Sequence, residues 1–346
     1  MRNKYVGDGE PCFIIAEIGN NHNGDIKLAK KSVIEAARLG ADAVKFQKRE
    51  VDEVFTKEMQ AMPQTNSRAL AAFGPTYGEY RRKQELTDTG LMELKELAHS
   101  LGVAFFVTPF DLKSANILAG IGMDAWKIAS FDLNHKPLLE FVARQNQPMF
   151  FSTGMATLEE MDEAINTILK YNKQLIINHC VSIYPTPDAD LNLGAVTLLR
   201  ERYAQMPIGY SGHEVGYIPT IAAVTLGASA VERHFTLDKS LPGPDHSTVS
   251  LDPLEFGEMV RQIRRIEMAV SDKRKYIHEM EARMLNKHGK SIVSKVKIPA
   301  GTIISADMLA FKSPGHGIKP TLAHTVIGKK AKVDILEDTV ITSNVI

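Results

Sequence analysis

The sequence predicts a (β/α)8 barrel, or TIM barrel, followed by a small β-rich domain. Eight short apolar segments alternate with eight helical segments between residues 12 and 270. Strands that alternate with helices indicate a parallel sheet, and eight pairs over about 270 residues fit a closed barrel better than an open sheet. Nearly every predicted strand ends in a polar or small residue, which is typical of a barrel whose site lies at the C-terminal ends of its strands.

The individual strands and helices follow from their residues. Residues 12–18 are apolar and rich in β-branched side chains, which favours a strand. Asp25 is a good N-cap for an amphipathic helix that Gly40 ends, and the same alternation recurs along the chain. The predicted strands are 12–18, 41–46, 103–107, 125–128, 149–151, 174–178, 207–210 and 228–231. The predicted helices are 26–39, 88–100, 112–119, 136–144, 158–171, 193–203, 217–226 and 253–270.

Two segments depart from this alternation. Residues 47–85 form a long, turn-rich excursion with the basic pair Arg81-Arg82 near its end, and an insertion of this length is usually a functional loop or lid. Residues 271–289 are charged and are predicted to be a linker with a helical portion. Short β-like runs and turns over residues 290–346 predict a separate compact domain, so the barrel is expected to occupy residues 1–270.

Composition limits the classes of function. The chain has 346 residues, 44% hydrophobic and 24% charged, as in an ordinary soluble globular protein. Lys plus Arg equals Asp plus Glu, at 41 each, which argues against nucleic acid or an anionic membrane as the main partner. The N-terminal segment lacks the apolar core of a signal peptide, and no apolar run is long enough to span a bilayer. We therefore expect a cytoplasmic protein, and its two cysteines give no disulfide framework.

Two histidines, His213 and His234, follow the seventh and eighth predicted strands. With Glu232 and Asp245 near them in sequence, they form a candidate site for a divalent metal. The alternative is that each is a hydrogen-bonded structural residue, although two histidines in equivalent positions are harder to explain in that way.

Two lysines at strand ends, Lys45 and Lys127, indicate a site for a phosphate or carboxylate. Their ammonium groups supply charge, while hydroxyls and backbone N–H groups supply directed donors. The polar residues expected with them at the barrel mouth are Ser130, Ser152, Thr153, Gly154, Ser182, Tyr184 and Ser211. The alternative is that both lysines form ion pairs with strand-end carboxylates, namely Glu17, Asp132 or Glu232.

The candidate acids and bases are Glu17, Asp132, Glu232 and Asp245. Pairing with the lysines is the alternative role, and the sequence does not decide between the two. Cys180 lies near a strand end and is conceivable as a nucleophile, but a small buried apolar side chain is the simpler interpretation. The residues alone thus predict a barrel enzyme, with or without a metal, that acts on a small phosphorylated or carboxylated substrate.

Nine segments of the chain resemble the sialic acid (nonulosonic acid) synthases. They occur in the family's order and read FIIAEIGNNHNGD, GADAVKFQ, FFVTPFD, WKIAS, STGMAT, HCVSIYPTP, IGYSGHE, ERHFTLD and PGPDHS. In the tail, SIVSKVKIPAGTIISADML is similar to the antifreeze-like, or SAF, domain that closes these enzymes. The resemblance covers nearly the whole chain and rests on several motifs together.

The resemblance implies a reaction. The family condenses phosphoenolpyruvate with the open-chain aldehyde of an N-acylated mannosamine-type sugar, which gives a nine-carbon 2-keto acid and phosphate. C3 of phosphoenolpyruvate attacks the aldehyde, water adds at C2, and the tetrahedral intermediate expels phosphate by C–O cleavage. A divalent metal, Mn²⁺ or Mg²⁺, on His213 and His234 polarises the aldehyde as a Lewis acid.

The resemblance also implies roles for individual residues. Besides the two histidines, Glu17 and Asp132 are the catalytic candidates. The residues expected to hold phosphoenolpyruvate are Lys45, Thr108, Lys127, Ser130, Ser152, Ser182, Tyr184 and Ser211. Those expected to meet the sugar are Asn21, Asn23, Asp132, Tyr184 and Asp245.

Departures from the family pattern leave the acceptor sugar open. Ala129-Ser130-Phe131-Asp132 is closer to the pseudaminic acid branch, whereas PGPDH at 242–246 and the NHNG loop are closer to the sialic and legionaminic branches. Residues 76–81 are similar to the animal enzyme that uses a 6-phosphorylated sugar. Arg81 and Arg82 are therefore candidate phosphate ligands, and a solvated basic pair is the alternative.

The family also implies a homodimer in which the tail covers the barrel mouth of the other chain. Bacterial members often carry an Arg there that reaches the partner's sugar, and this chain has Lys312 in that place. Two other classes of protein stay open: a carbohydrate-binding or coat protein that keeps the fold without catalysis, and a metal-dependent barrel hydrolase. Those hydrolases usually carry a His-x-His pair on the first strand, which residues 12–18 lack.

Overall fold

The computed structural model describes residues 4–65, 67–242, 247–270 and 274–346. The chain divides into two compact units, Met1–Ser271 and Asp272–Ile346. Each unit has its own hydrophobic core. None of the helices in the described part of the chain is long and apolar enough to cross a membrane.

Eight parallel strands form the barrel of the first unit. They are β1 (Phe13–Gly19), β2 (Ala43–Lys48), β3 (Ala104–Pro109), β4 (Trp126–Ile128), β5 (Met149–Ser152), β6 (Leu175–Cys180), β7 (Ile208–Gly212) and β8 (Ala230–His234). Their hydrogen-bonded order is β3-β2-β1-β8-β7-β6-β5-β4. The two end strands, β3 and β4, lie against each other, so the sheet closes on itself. The predicted (β/α)8 barrel is confirmed, and each predicted strand overlaps an observed one.

The described residues of this unit form twelve α-helices. They are α1 (Ile26–Arg38), α2 (Val51–Val54), α3 (Lys57–Ala61), α4 (Ser67–Phe73), α5 (Tyr77–Lys83), α6 (Asp88–Ser100), α7 (Leu112–Ile121), α8 (Lys136–Ala143), α9 (Leu158–Leu169), α10 (Gly194–Arg202), α11 (Ile218–Thr225) and α12 (Pro253–Val270). Helix α1 and helices α6 to α12 follow the eight barrel strands in turn. The N-cap of α1 is Asp25, as predicted, and its side chain accepts from Lys27 N–H.

The excursion after β2 is helical, whereas the sequence indicated only a turn-rich loop. Helices α2 to α5 are each one or two turns long, too short to show a helical period in the sequence. Local contacts stabilise them instead. Thr76 and Glu79 form a reciprocal capping box at α5, and Ala69, Phe73 and Tyr80 pack into a small core of their own.

Aromatic side chains fill the barrel below its mouth. Phe150 stacks on Phe13 and Phe106, with ring centroids 6.1 and 5.5 Å apart. These three rings share strand faces with Glu17, Thr108 and Ser152 because side chains two and four residues apart lie on the same side of a strand. The lower barrel is therefore packed and apolar, and polar inward residues occur at the C-terminal ends of the strands.

The second unit is small and β-rich, as predicted. Helix α13 (Glu279–His288) lies in the segment predicted as a linker with a helical portion. Strand β9 (Ser291–Ser294) pairs antiparallel with β10 (Leu309–Lys312), and the short helix α14 is Ala323–Val326. Isolated bridges add further β pairing. The core of this unit consists of Ile292, Ile298, Ile304, Leu309, Val326, Ala331, Ile335 and Ile341.

Candidate active site

A cavity of about 500 Å³ opens at the C-terminal ends of the barrel strands. All eight strands contribute side chains to it, as the polar strand ends in the sequence predicted. The predicted site residues that line it are Glu17, Lys45, Arg81, Thr108, Lys127, Ser130, Ser152, Ser182, Tyr184, Ser211, His213 and His234. The fold thus brings together residues from widely separated parts of the sequence.

Buried charges occupy the centre of the cavity. The Nζ of Lys45 lies 2.9 Å from Glu17 Oε2 and 3.5 Å from Glu232 Oε1, and it donates to Thr108 Oγ1 at 2.9 Å. The Nζ of Lys127 is 3.8 Å from Glu232 Oε1. All four charged groups are buried. The ion pairs considered as an alternative are therefore present, and the same ammonium groups also face the cavity.

The two carboxylates differ in electrostatic environment. Burial raises the pKa of Glu17, and the negative charge of Glu232 adds to this, against the nearby Lys45. Burial would also raise the pKa of Glu232, but Lys127 and Lys45 outweigh it, so that pKa is lowered. Burial lowers the pKa of Lys127, and Glu232 offsets this only in part. Glu17 is therefore the carboxyl suited to carry a proton, and Glu232 stays ionised.

Hydroxyls and one glycine form a cradle beside Lys127. The backbone N–H of Gly154 donates to Ser130 Oγ at 3.1 Å. A Cβ on Gly154 would lie 2.3 Å from Ser182 Oγ and 2.8 Å from Ser130 Oγ, so no larger residue fits without displacing them. Ser152 Oγ is buried and has no hydrogen-bond partner among the described residues. An unused hydroxyl donor, with two further serine hydroxyls around a small space, is what an anion oxygen requires.

His213 and His234 lie side by side at the ends of β7 and β8, with ring centroids 5.5 Å apart. The Nδ1 of His213 lies 2.9 Å from the carbonyl oxygen of Val181, which makes Nδ1 the protonated nitrogen and leaves Nε2 as a ligand atom. No group of three or more His, Cys, Asp or Glu side chains in the described part of the chain has metal-binding geometry. Two imidazoles are fewer protein ligands than a closed structural metal centre uses, so they would hold an ion only together with water or substrate oxygens.

Some predicted site residues in the described part of the chain are not among those that line the cavity. Asn21 is buried, and its amide donates to Phe235 O at 2.9 Å and to Ser250 Oγ at 2.8 Å, which is a structural role. Asn23 occupies a left-handed turn with φ of 53°. Lys312 lies on β10 of the second unit and pairs with Asp338. Asp245 lies outside the described residues.

Asp132 does not line the cavity either. It ends a short 3-10 turn that begins at the cavity-lining Ser130, and its buried Oδ2 has no hydrogen-bond partner among the described residues. Burial raises the pKa of Asp132 to about 7; Asp111 adds to the shift, against Lys127. This carboxyl therefore titrates near neutral pH.

The sequence reasoning missed Gln47 and Arg49, which line the cavity. The Gln47 amide donates to Glu17 Oε1 at 2.8 Å, and Arg49 donates to Gln47 Oε1 at 2.5 Å. The Arg49 guanidinium lies 4.5 Å from the ring centroid of Phe110, and its buried NH1 has no hydrogen-bond partner among the described residues. A signal existed, because residues 45, 47 and 49 alternate along β2 and its extension and so share one face.

The two adjacent arginines of the excursion have separate surroundings. Arg81 lines the cavity, lies over the rings of Tyr77 and Tyr80 at 5.1 and 4.8 Å, and its Nε donates to Tyr77 Oη at 3.0 Å. Arg82 does not line it, and its NH2 instead reaches Asp52 at 3.0 Å and Gln60 at 2.6 Å. Of the predicted basic pair, only Arg81 is available to a ligand in the cavity.

Two family models match this chain. The model described as the NeuB family matches residues 32–275, and the model described as the SAF domain matches residues 289–344. An uncharacterised protein of Methanocaldococcus jannaschii is 41% identical, covering 98% of this chain and 95% of that protein. The human N-acetylneuraminate-9-phosphate synthase is 38% identical over 99% and 95% of the two chains. The N,N'-diacetyllegionaminic acid synthase of Legionella pneumophila is 37% identical over 96% and 94%.

Proposed function

This chain belongs to the NeuB family, that of the sialic and related nonulosonic acid synthases, and we propose that it condenses phosphoenolpyruvate with an N-acetylmannosamine-type sugar. The product is a nine-carbon 2-keto acid, and phosphate leaves by C–O cleavage. The observation that carries the proposal is the mouth of the barrel. Buried lysines, a hydroxyl cradle and two histidines line one cavity of about 500 Å³.

The lysine side of the cavity suits phosphoenolpyruvate, which carries a phosphate and a carboxylate. Lys127 and Lys45 supply positive charge in a buried setting, where it attracts an anion more strongly than in water. Ser130, Ser152 and Ser182 supply directed donors. These contacts would hold the enol so that C3 faces the aldehyde carbon of the sugar.

Proton transfer is assigned to Glu17 and Asp132. The aldehyde oxygen gains a proton as the carbon–carbon bond forms, and Glu17, whose pKa is raised by burial, can carry that proton. Asp132, whose pKa burial raises to about 7, is the second candidate, because it adjoins the cavity-lining Ser130 and Phe131. Either carboxyl can return to its protonated form from the water consumed at C2.

We assign a divalent cation, Mn²⁺ or Mg²⁺, to His213 and His234. The bond between His213 Nδ1 and Val181 O orients this ring, as is usual for metal-binding histidines. Two protein ligands leave further positions for water and a substrate oxygen. When bound, the ion supplies Lewis-acid polarisation of the aldehyde.

For the acceptor, we propose a 6-phosphorylated sugar held by Arg81 with Arg49 beside it. Both guanidiniums line the cavity, and the carboxylate that faces Arg49 is Glu85, 3.5 Å from its Nε. Burial lowers the pKa of Arg49 to about 10, and the positive charge of Arg81 contributes. A phosphate at this place would neutralise the two like charges and engage the NH1 of Arg49, which has no partner among the described residues.

The alternative acceptor is a diacetamido-trideoxy hexose of the legionaminic or pseudaminic type. The observation that favours it is the apolar part of the cavity wall, formed by Phe55, Phe110 and Phe131. Apolar rings suit a deoxy sugar with a methyl group better than a phosphorylated one. Identities of 38% and 37% to relatives named for the two chemistries do not discriminate between them.

One assay tests both the proposed reaction and the proposed acceptor sugar. Phosphate release from phosphoenolpyruvate would be followed with Mn²⁺ and a panel of acceptors. The panel holds N-acetylmannosamine, its 6-phosphate, mannose 6-phosphate and the two diacetamido-trideoxy sugars. We expect sugar-dependent phosphate release, fastest with N-acetylmannosamine 6-phosphate. Preference for a deoxy sugar would contradict only the assignment of a 6-phosphorylated acceptor. If no acceptor caused phosphate release, the proposed condensation would be contradicted, and a non-catalytic carbohydrate-binding protein would be favoured.

We also propose a cytoplasmic homodimer in which the C-terminal unit covers the site of the other chain, with Lys312 near the sugar. The support is the SAF match at residues 289–344 in a family where this arrangement is expected. Light scattering should then give twice the chain mass of 38.2 kDa. Lys312→Ala should raise the KM for the sugar and leave the KM for phosphoenolpyruvate unchanged. A monomeric mass, or equal changes in both KM values, would contradict the arrangement.

A further inference from the structure

A fully buried ion pair lies directly beside the two histidines in sequence. Glu214 follows His213 at the end of β7, and Arg233 precedes His234 in β8. The side chains of Glu214 and Arg233 have no exposed surface, and Arg233 NH1 lies 2.6 Å from Glu214 Oε1. Because side chains alternate along a strand, Glu232 and His234 face the cavity while Arg233 points to the other side of the sheet.

The pair connects three elements. Thr220, near the start of α11, donates to Glu214 Oε1 at 2.6 Å, and Tyr210 of β7 donates to Glu214 Oε2 at 2.9 Å. Arg233 NH1 also donates to Thr220 Oγ1 at 2.8 Å, and its NH2 donates to the backbone oxygen of Glu214 at 2.8 Å. Arg233 is thus bonded to the backbone of Glu214, the residue that follows His213. Arg233 itself directly precedes His234, so the bond links the backbone beside one histidine to the backbone beside the other.

The local backbone leaves the loop after β7 little room to move. A Cβ on Gly212 would lie 2.3 Å from Glu214 Oε2 and 2.6 Å from Tyr210 Cε1, so the Glu214 side chain folds back closely over this glycine. The loop is therefore fixed on one side by the carboxylate and on the other by the bond between His213 Nδ1 and Val181 O.

Stability alone explains this network poorly. A buried ion pair often contributes no more to the free energy of unfolding than well-packed apolar side chains of the same volume. What it does supply is fixed geometry, since hydrogen bonds in several directions define both position and orientation.

We propose that Glu214 and Arg233 are positioning residues, which fix the separation and orientation of His213 and His234 so that one divalent cation can bind both. This inference rests on the proposed metal site. The role resembles that of outer-shell groups at known metal centres, whose loss weakens metal binding by about 10–100-fold. Here the positioning acts through the main chain rather than on the imidazole itself.

The test measures Mn²⁺ affinity, by electron paramagnetic resonance of free Mn²⁺, in the full-length protein and its variants. In Glu214→Gln we expect the Kd for Mn²⁺ to rise by about 10–100-fold. Binding of phosphoenolpyruvate, measured by calorimetry in the presence of a chelator, should not change. That separation distinguishes positioning of the histidines from general damage to the barrel mouth.

A second variant covers the case in which Glu214→Gln does not fold. The double replacement Glu214→Leu with Arg233→Met removes both charges and keeps most of the volume, so the fold should survive. Its Tm should fall, because the buried hydroxyls of Tyr210 and Thr220 lose their acceptor, but a cooperative unfolding transition should remain, and the Kd for Mn²⁺ should rise as in the single variant. Asp42→Asn, which breaks an ion pair at the opposite end of the barrel, is the matched control and should leave the Kd for Mn²⁺ unchanged.

The outcomes separate the two proposals. If the wild-type protein takes up no Mn²⁺, or if His213→Ala binds it equally well, the metal site of the proposed function fails and this inference fails with it. If the wild type binds Mn²⁺ through His213 and the folded Glu214 and Arg233 variants bind it with the same Kd, the inference alone is wrong. A parallel loss of Mn²⁺ and phosphoenolpyruvate affinity would also overturn it, because the pair would then act on the whole mouth.

Discussion

Both ends of the barrel bury charged side chains, but the two ends differ in whether the protein supplies hydrogen-bond partners for them. At the N-terminal end, Asp42 Oδ2 accepts from Ile14 N–H at 2.8 Å and from Arg264 at 3.2 Å, and Oδ1 pairs with Lys4. Glu267 accepts from Arg264 at 2.9 Å. Each carboxylate at this end therefore has donors of the protein's own.

At the C-terminal end, several buried polar atoms do not form a hydrogen bond within the described part of the chain. Glu232 Oε2, Ser152 Oγ and Arg49 NH1 are buried without a hydrogen-bond partner among the described residues. An unsatisfied buried polar group costs free energy, so native structures keep few of them. We infer from the difference that the paired carboxylates of the N-terminal end serve the fold, whereas the open atoms of Glu232, Ser152 and Arg49 line the cavity and can take partners from a ligand.

The strongest challenge to this comparison is removal of a charge from each end. Burial lowers the pKa of Lys127, so its ammonium group is held in an unfavourable setting. We expect Lys127→Met to lower kcat/KM for phosphoenolpyruvate by about 10²–10³-fold, because a preorganised cation is lost. The Tm should stay near the wild-type value, since a desolvated ammonium group is gone and Lys45, 3.5 Å from Glu232 Oε1, still compensates the carboxylate that is left. Steady-state kinetics and thermal unfolding measure the two effects.

Arg264→Met is the matched variant at the saturated end. It removes donors from Asp42 and Glu267, so the Tm should fall while kcat/KM stays near the wild-type value. The comparison fails if the two variants behave alike, for example if Lys127→Met unfolds the protein and leaves the remaining folded fraction fully active.

The next largest effect concerns the hydroxyl cradle. Gly154→Ala places a Cβ 2.3 Å from Ser182 Oγ, which must then move away from the proposed position of an anion oxygen. A displacement near 1 Å can cost about 100-fold, and we expect a loss of this size in kcat/KM for phosphoenolpyruvate. In Gly120→Ala the new Cβ meets nothing within 4 Å, so this helical control should retain full activity. Equal kcat/KM values in the two variants would show that the cradle does not bind phosphoenolpyruvate.

The sequence predicted the barrel well because a barrel strand has a local signature. Each strand is an apolar run bounded by a helix and a polar residue, and residues such as Ser152 and His234 mark the strand ends directly. Since parallel strands of a barrel share one orientation, polar ends that are far apart in sequence must meet at one rim. Most of the candidate site followed from this rule.

The remainder depended on packing that no local pattern encodes. Asn21 adjoins a strand end like the others, but its amide bonds Phe235 O, just after the neighbouring strand β8, and Ser250 Oγ, so its donors are used within the fold. Arg49 shares a face with Lys45 and Gln47, but its contact with the ring of Phe110 joins two strands' extensions and could not be seen in a local pattern. Arg81 and Arg82 are adjacent in sequence, yet the turn of α5 directs one to the cavity and the other to Asp52.

The third prediction concerns these two arginines. Arg81→Gln should lower kcat/KM for N-acetylmannosamine 6-phosphate by about 10–100-fold, the usual size of a hydrogen bond to a charged group, and should affect the unphosphorylated sugar little. Arg82→Gln removes the same charge outside the cavity and should leave the preference between the two sugars unchanged. Acceptor competition measures this ratio directly. Identical ratios in the wild type and Arg81→Gln would assign the phosphate contact to other residues.

The smallest effect expected is a change in how stability depends on pH. Burial raises the pKa of Asp132 to about 7, against about 3.9 in an unfolded chain. Between these values the folded state binds more protons than the unfolded state, so the free energy of unfolding should fall as pH rises from about 4 to about 7 and then level off. The contribution is at most about 1.4 kcal/mol per pH unit. Asp132→Asn should remove it, so urea unfolding at pH 5 and pH 8 should differ less in the variant. Parallel pH profiles for the two proteins would mean that Asp132 is solvated or paired at the mouth, and it would then belong with the saturated charges of the other end.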